Sequence, residues 1–537
     1  MQTAPVTPQS DQRSSAATAG TQRRVASAAA IIALGNILSR GLGLLRDVVI
    51  ASTFGATGGT DAFVFARTIP QILYDLLVGT VITAAFVPVF VQHARDERQL
   101  WRLVGAIFSL AGLAFVTLAV VLGIFADPLL NVIGRGFSSE EQRQLAVQLM
   151  RIALISVIFQ GLAGVLTSAL YAQNRFVLPA FSTAAYNVGI IVGVLLLAQT
   201  LGYTALPVGL IIGALVQFLL QASGLRSFWR AYRPHIDLAD PAVRRILSLA
   251  GTVAAGLVVT AVGSLIDRNL ALRLPEGNLT SMDYATRIIQ FPLGIVGLAV
   301  SYAILPTLSR LNPGGGGSLG EYRDALAFGI KLVLLLILPS LAIIAALSEP
   351  IVALVFQRNA FSPEDTARTA GIFLFYSPQL PFTAVDYLLI NAFYARQNAR
   401  TPVIVGVVCV FIYLIVALST IGWLGARGLA LANAVQNSSH AVILLVLLRR
   451  ALPGLRLGAA LWPFLIRVVP TSAAVALALF LAWPTLSHLG NFTGLLIAVL
   501  LALVVYVVAL WLLGVSEARI GISVLMHAAA RRAKACS

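Results

Sequence analysis

Five arginines sit deep inside apolar runs, where a charge is costly: Arg40, Arg46, Arg67, Arg268 and Arg287. A guanidinium at the bilayer centre costs about 2.5–3.5 kcal/mol even on insertion scales, so these residues must face a cavity or paired partners and not lipid. Their spacing adds detail. Asn36, Arg40, Gly43 and Asp47 step by 4, 3 and 4 and so form one polar stripe along a helix, with Arg46 about a quarter turn away at ~100° per residue. Asp283 and Arg287 are an i,i+4 pair in the favoured acid-first order, and Asp267 directly precedes Arg268. Asp47, Asp61, Asp75, Asp267 and Asp283 match the arginines in number, but Asp61 and Asp283 are expected at span ends, where water solvates them. An incompletely neutralised, permanently charged cluster suits an anion, because guanidinium stays protonated and grips phosphate oxygens in pairs. The plainer role, in which an arginine only neutralises a carboxylate and locks two helices together, explains any one of these residues more readily than all five.

Other chemistries find no residues. Cys409 lies in an apolar run and Cys536 beside the C-terminus, while His93, His235, His440, His488 and His527 are scattered, so neither a disulfide framework nor a metal site is expected. The Gly314–Gly317 run has no following Lys-Ser/Thr and no preceding strand; it reads as a linker and not as a phosphate loop. No cofactor is implied.

The elements that must position the arginines follow from composition. Of 537 residues 58% are hydrophobic and 11% charged, and mean hydropathy is +0.90. These values exclude a soluble enzyme and a DNA-binding protein and predict an all-α polytopic membrane protein. Charge clusters and turn residues delimit fourteen candidate spans, near 25–50, 61–91, 102–126, 144–172, 178–198, 205–225, 244–272, 283–309, 325–348, 367–394, 402–420, 428–448, 460–483 and 492–514. Residues 1–22, rich in Gln, Ser, Thr, Ala and Pro, read as a disordered cytoplasmic tail and not as a signal peptide. With the N-terminus inside, one set of loops and tails holds 24 Arg and Lys, and the opposite set holds only Arg135, Arg143, Arg273, Arg358, Arg368 and Arg427. That bias predicts both termini in the cytoplasm. It also accounts for most of the +16 net charge through anionic membrane lipids, without nucleic acid.

The chain repeats itself at an offset near 222. Ala126-Asp-Pro128 through Gly136-Phe-Ser-Ser-Glu140 matches Ser348-Glu-Pro350 through Ala360-Phe-Ser-Pro-Glu364, and Tyr171 through Pro179 matches Tyr394 through Pro402. The same offset pairs Arg46 with Arg268, Asp61 with Asp283 and Pro70 with Pro292. Two parallel six-helix repeats plus two extra C-terminal helices follow, an organisation typical of transporters, with the substrate site expected between the halves. The divisions are 1–22; 23–225 for spans one to six; 226–450 for spans seven to twelve, with the cytoplasmic loop 226–243 linking the lobes; 451–515 for spans thirteen and fourteen; and the cytoplasmic tail 516–537. Gly161 with Gly164, and Gly189 with Gly193, are expected at close helix contacts.

At Ser39-Arg-Gly-Leu-Gly-Leu-Leu-Arg-Asp47, Phe54-Gly-Ala56, Thr60-Asp-Ala-Phe63, Phe86-Val-Pro88, Tyr284-Ala-Thr-Arg-Ile-Ile-Gln-Phe-Pro-Leu-Gly294 and Leu305-Pro306, the sequence resembles the MurJ (MviN) family of lipid II flippases, over roughly residues 25 to 515. The resemblance implies MATE-like lobes of the multidrug/oligosaccharidyl-lipid/polysaccharide exporter superfamily, with a lipid-tail groove at spans thirteen and fourteen. It implies translocation of undecaprenyl-diphosphate-linked lipid II across the bacterial cytoplasmic membrane, and cell-wall synthesis or division proteins as partners. Arg40, Arg46, Arg287 and Asp61 match the residues essential in that family; Arg268, Asp47 and Asn36 complete the expected substrate site. Where many members carry an arginine pair and Glu-Gly, this chain has Tyr74-Asp75 and Val78-Gly79, which keeps a different lipid-linked glycan in view as substrate. Residues 402–418 offer only Cys409 and Tyr413 as polar groups, so the sodium site of some members is not expected. A drug or cation antiporter of the same fold should rely on carboxylates more than arginines. A membrane-embedded transferase should show catalytic groups in its loops, where Asp237, Asp240, His235 and Glu321 form no recognisable arrangement.

Overall fold

A computed structural model describes residues 9–75, 85–311, 313 and 316–519. Every regular element within them is a helix. It divides into two compact units: Met1–Ile50, Ala62–Arg135 and Ser139–Val262 form the first, and Ala51–Asp61, Gly136–Ser138 and Gly263–Ser537 the second.

The chain opens with α1 (Gln9–Phe54), α2 (Gly58–Ala66), α3 (Thr68–Tyr74), α4 (Val87–His93), α5 (Glu97–Ile124), α6 (Ala126–Ile133) and α7 (Glu140–Ala172). It continues through α8 (Val177–Leu201), α9 (Ala205–Ser223), α10 (Arg226–Ala231) and α11 (Pro241–Leu272). Then follow α12 (Asn278–Pro292), α13 (Leu298–Arg310), α14 (Leu319–Phe356), α15 (Pro363–Tyr376), α16 (Gln379–Ala395), α17 (Arg400–Leu424), α18 (Ala426–Ala451), α19 (Leu457–Ser487) and α20 (Asn491–Leu512).

Among the described residues eight helical stretches are long and apolar enough to cross a membrane: α5, α7, α8 with α9, α14, α17, α18, α19 and α20. Two expected spans are each made of two helices. The eighth is α12 and α13 joined by a π-turn at Leu293–Gly297, just after Pro292; proline lacks the N–H that a continuous helix needs there. The tenth is α15 and α16, with Ser377 and Pro378 at the join. The expected disorder of residues 1–22 meets a helix from Gln9 onward; no proline lies between Pro8 and Pro70, and alanine favours the helix. Residues 1–8, Val78, Gly79, part of the Gly314–Gly317 linker, Cys536 and the tail beyond Arg519 lie outside the described residues.

Local chemistry sets the helix ends. The Asp96 carboxylate accepts from the N–H groups of Arg98 and Gln99 at the start of α5, Ser139 caps α7, and Ser362 with Asp365 forms a capping box on α15. Beside the start of α7, hydrogen bonds from the Arg143 guanidinium hold the Glu140 carboxyl down at about 2. Gly202 and Gly425 end α8 and α17 with nearly the same backbone angles, φ 54 and ψ −136 against φ 57 and ψ −131.

The first unit packs α5 against α7, and Phe108 of α5 stands edge-on to Phe228, Trp229 and Tyr232. Its α8 and α9 meet backbone to backbone. A Cβ on Gly189 would lie 2.6 Å from the Gly213 Cα, and one on Gly193 2.8 Å from the Gly209 Cα. A Cβ on Gly161 would strike the Phe115 ring at 2.1 Å. In the second unit α19 and α20 pack on each other and on α14, where the Tyr506 hydroxyl donates to the Leu335 carbonyl at 3.1 Å.

Candidate anion-binding stations

The expected site residues fall into three places. In the first unit, α1 carries Asn36 on an exposed surface, Arg40 half-buried, and Arg46 and Asp47 against α8. Arg46 donates to Asp47 Oδ1 through Nε at 2.9 Å and Nη2 at 2.8 Å, and through Nη1 to Asn187 Oδ1 at 3.0 Å. Asn187 in turn donates to the Ser39 carbonyl at 3.2 Å. Gly35 makes this approach of α1 to α8 feasible, since a Cβ there would lie 2.2 Å from the Ala180 carbonyl oxygen. The guanidinium plane of Arg46 is therefore fixed from two helices. Asn187 gave no signal in sequence, lying 141 positions away on an apolar helix. Arg67 lies elsewhere in this unit, its guanidinium 5.5 Å from the Phe63 ring centre.

In the second unit, Arg268 of α11 lies 3.5 Å from Asp283 Oδ1, and Arg287 of α12 lies 3.8 Å from Asp283 Oδ2. The i,i+4 pairing of Asp283 with Arg287 is thus present, and Arg268 joins it. Asp283 is not solvated at a span end: its side chain is 8% exposed and stands between two guanidiniums. Both ion pairs are longer than a hydrogen bond, so they act through charge and not as a tight fork.

Arg268 and Asp283 line a cavity of about 330 Å³ together with Asp267, Gln290, Asn433 and Asn437. On its other wall Asp267 Oδ1 accepts from the Tyr413 hydroxyl at 2.5 Å and from Asn433 Nδ2 at 3.0 Å. Asn437 donates to Gln379 Oε1 at 2.5 Å. Tyr413, one of the two polar groups expected on α17, is therefore committed to a carboxylate. The arginines Arg268 and Arg287 are set against two carboxylates, Asp267 and Asp283, and an incoming anion must compete with Asp283 for them.

The third place is the start of α12. Asp61 is 3% exposed; its Oδ2 accepts from the Gly277 N–H at 2.6 Å, and its Oδ1 accepts from the Thr280 N–H at 2.7 Å and the Thr280 hydroxyl at 2.6 Å. It is expected at a span end exposed to water, and it is buried as a helix cap supplied from far away in sequence; the burial follows from the orphan N–H groups at the α12 N-terminus, which attract a carboxylate. It is not among the residues lining the 330 Å³ cavity. Arg368, counted in the sequence as a loop charge, is the second strut: it donates to the carbonyls of Ala56 and Glu276, both at 3.1 Å, and to Ser281 Oγ at 3.3 Å, and pairs with Asp365. Gly277 has φ +83, and a Cβ on it would lie 2.1 Å from the Ala56 carbonyl oxygen. Among the described residues no group of three or more His, Cys, Asp and Glu is placed to hold a metal ion.

Comparison with known proteins places these features in context. A protein-family profile described as "Lipid II flippase MurJ" matches residues 50–501. The "Probable lipid II flippase MurJ" of Haemophilus influenzae is 28% identical over 520 residues, covering 90% of this chain and 98% of the relative. That of Thermotoga maritima is 30% identical over 416 residues, covering 76% and 83%. Among solved structures, a lipid II flippase MurJ in an inward closed conformation superposes with a TM-score of 0.74 at 23% identity, covering 89% of this chain and 97% of that one. An inward-facing multidrug resistance MATE family transporter of the MOP superfamily gives 0.65 at 14% identity, covering 78% and 95%. The two superpositions make this an all-α, polytopic, MATE-like membrane fold.

Proposed function

The chain belongs to the lipid II flippase MurJ family, and on that premise we propose that it moves lipid II, an undecaprenyl-diphosphate-linked peptidoglycan precursor, from the inner to the outer leaflet of the bacterial cytoplasmic membrane by alternating access. It is a multi-pass transporter and makes or breaks no covalent bond. The observation that carries this reading is the family match across residues 50–501, which includes Arg67, Arg268 and Arg287 and begins just after Arg40 and Arg46.

Arg46 with Arg40 in the first unit, and Arg268 with Arg287 in the second, are the groups proposed to hold the diphosphate. Asp47, Asp283 and Asn36 tune them, and Asp61 holds the start of the helix bearing Asp283 and Arg287. An anion that displaces Asp283 from Arg268 and Arg287 is released again when that carboxylate returns, which a carrier requires. The fourteen-span count, with lobes at 23–225 and 226–450 and both termini in the cytoplasm, belongs to the same proposal. The arginine bias of the loops supports the orientation. Backbone features recurring 223 residues apart support the duplication: the serine caps Ser139 and Ser362, the positive φ of Asn174 and Gln397, and the helix-ending Gly202 and Gly425. Exposed apolar side chains along α19, such as Trp462, Leu477, Phe480 and Leu481, support a lipid-tail surface on 451–515.

Complementation tests the proposal: the gene, expressed in a bacterium depleted of its own lipid II flippase, should restore growth. A well-inserted protein that fails to do so would instead favour another polyprenyl-diphosphate glycan, the reading to which Tyr74 and the exposed Asp75 point.

A further inference from the structure

His440 of α18 is held between two acceptors. Its Nδ1 lies 2.8 Å from Asp386 Oδ1 on α16, and its Nε2 lies 3.1 Å from the Pro402 carbonyl oxygen at the start of α17. A carbonyl oxygen only accepts, so Nε2 must carry a proton. A second proton must lie between Nδ1 and the carboxylate, on one or the other. The pair therefore holds two protons over three sites and is electrically neutral, whether written as imidazolium with carboxylate or as imidazole with carboxylic acid.

Removing one proton leaves a net negative charge on groups whose side chains are only 15% and 13% exposed, and turns one of the two contacts into acceptor against acceptor. The proton thus fastens α16, α17 and α18 to one another. Among the described residues the charged group acting on His440 is Asp386, and the one acting on Asp386 is His440. Among the described residues the Cys409 thiol of α17 is the other titratable group beside the pair; of the elements packed on α18, α12 carries Asp283 and Arg287 and α15 carries Asp365 and Arg368, while α14, packed on α16, carries Lys331 and Glu349. The position also has a consequence for transport. Asn437, one turn before His440, lines the cavity that holds Arg268 and Asp283, and so does Tyr387, next to Asp386.

We propose that Asp386 and His440 form a proton-binding site of the transport cycle, loaded in the conformation described here and emptied in another, so that proton release loosens the α16 and α18 walls of the cavity lined by Arg268 and Asp283. The coupled ligand is a proton exchanged with water; no other reactant is needed. The transport part of this inference rests on the flippase reading above, whereas the proton site itself does not.

The test has two arms on the full-length protein. In detergent, ¹⁵N-histidine NMR across the pH range in which the protein stays folded, with His440→Gln to identify the signal, should show one protonation step, displaced in Asp386→Asn. A His440 signal that does not titrate in this range, or is indifferent to Asp386→Asn, overturns the site. In lipid II proteoliposomes the wild-type rate should change about tenfold per pH unit on one limb, as for one linked proton, and the profile should flatten to less than about twofold in His440→Gln. The double variant Asp386→Asn with His440→Gln, which keeps a neutral hydrogen-bonding pair, should flip at a pH-independent rate and guards against simple misfolding. A double variant with the wild-type pH profile overturns the coupling. Wild-type protein that titrates at His440 but flips no lipid II at any pH overturns the flippase reading and the coupling together, and leaves the proton site standing.

Discussion

Asp61 and Thr280 are 219 positions apart, yet the Asp61 carboxylate takes both the backbone N–H and the hydroxyl of Thr280, at 2.7 and 2.6 Å. Since Thr280 stands in the first turn of the helix carrying Asp283 and Arg287, Asp61 sets where that ion pair begins. Asp61→Ala should cost about 1.5–3 kcal/mol, the worth of hydrogen bonds to a charged group, and Asp61→Asn less. Thermal unfolding of the purified protein in detergent checks the order: alanine lowest, asparagine between, wild type highest. Equal stability of Asp61→Ala and wild type would assign Asp61 a role other than capping.

Arg46 offers a second test. Its fork spans Asp47 and Asn187 at once, a geometry that the point charge of lysine does not reproduce. Arg46→Lys and Asn187→Ala should therefore each lower transport by about tenfold or more, equivalent to ~1.4 kcal/mol, at unchanged membrane insertion. Wild-type rates in Asn187→Ala would mean that the orientation of Arg46 does not matter.

Asp283 lies between Arg268 and Arg287 and competes with any anion for them. Asp283→Asn should tighten binding of a diphosphate-bearing lipid to the purified protein while slowing turnover, because release becomes harder. Weaker binding in this variant would show that Asp283 aligns the guanidiniums and does not compete with the ligand.

Gly189 faces the Gly213 backbone so closely that the Cβ of alanine would lie 2.6 Å from its Cα. Gly189→Ala should force α8 from α9 at an overpacking cost of about 1–3 kcal/mol. A thermal midpoint within error of wild type would require a backbone shift that the present packing does not suggest.

The arginines were legible in the sequence because a charge inside an apolar run is anomalous wherever its partner lies. Spacing also revealed Asp283 with Arg287, and Gly189 with Gly193, since partners three or four residues apart share a helix face. Partners from other helices were not legible. Nothing local marks Asn187 as the neighbour of Arg46, or Asp61 as the cap of α12. Arg368 looked like one more loop charge, though it ties together Ala56, Glu276 and Ser281. His440, taken within its own helix, suggests only solvation or packing, because its partners Asp386 and Pro402 come from α16 and α17. Element breaks followed the same division. Pro292 hinted at the π-turn, but the seam between α15 and α16 at Ser377 and Pro378 lay inside what hydropathy treats as one span.

If lipid II rides on these arginines, its arrival in the outer leaflet depends on them. The most direct measurement is the fraction of lipid II reaching the outer leaflet in cells depleted of their own flippase, carrying wild-type protein, Arg46→Ala or Arg268→Ala at matched membrane levels. Wild type should restore outer-leaflet lipid II, and each variant should fall to about a tenth of that or lower. Full restoration by both variants would contradict the arginine assignment, and no outer-leaflet lipid II with well-inserted wild type would contradict the substrate.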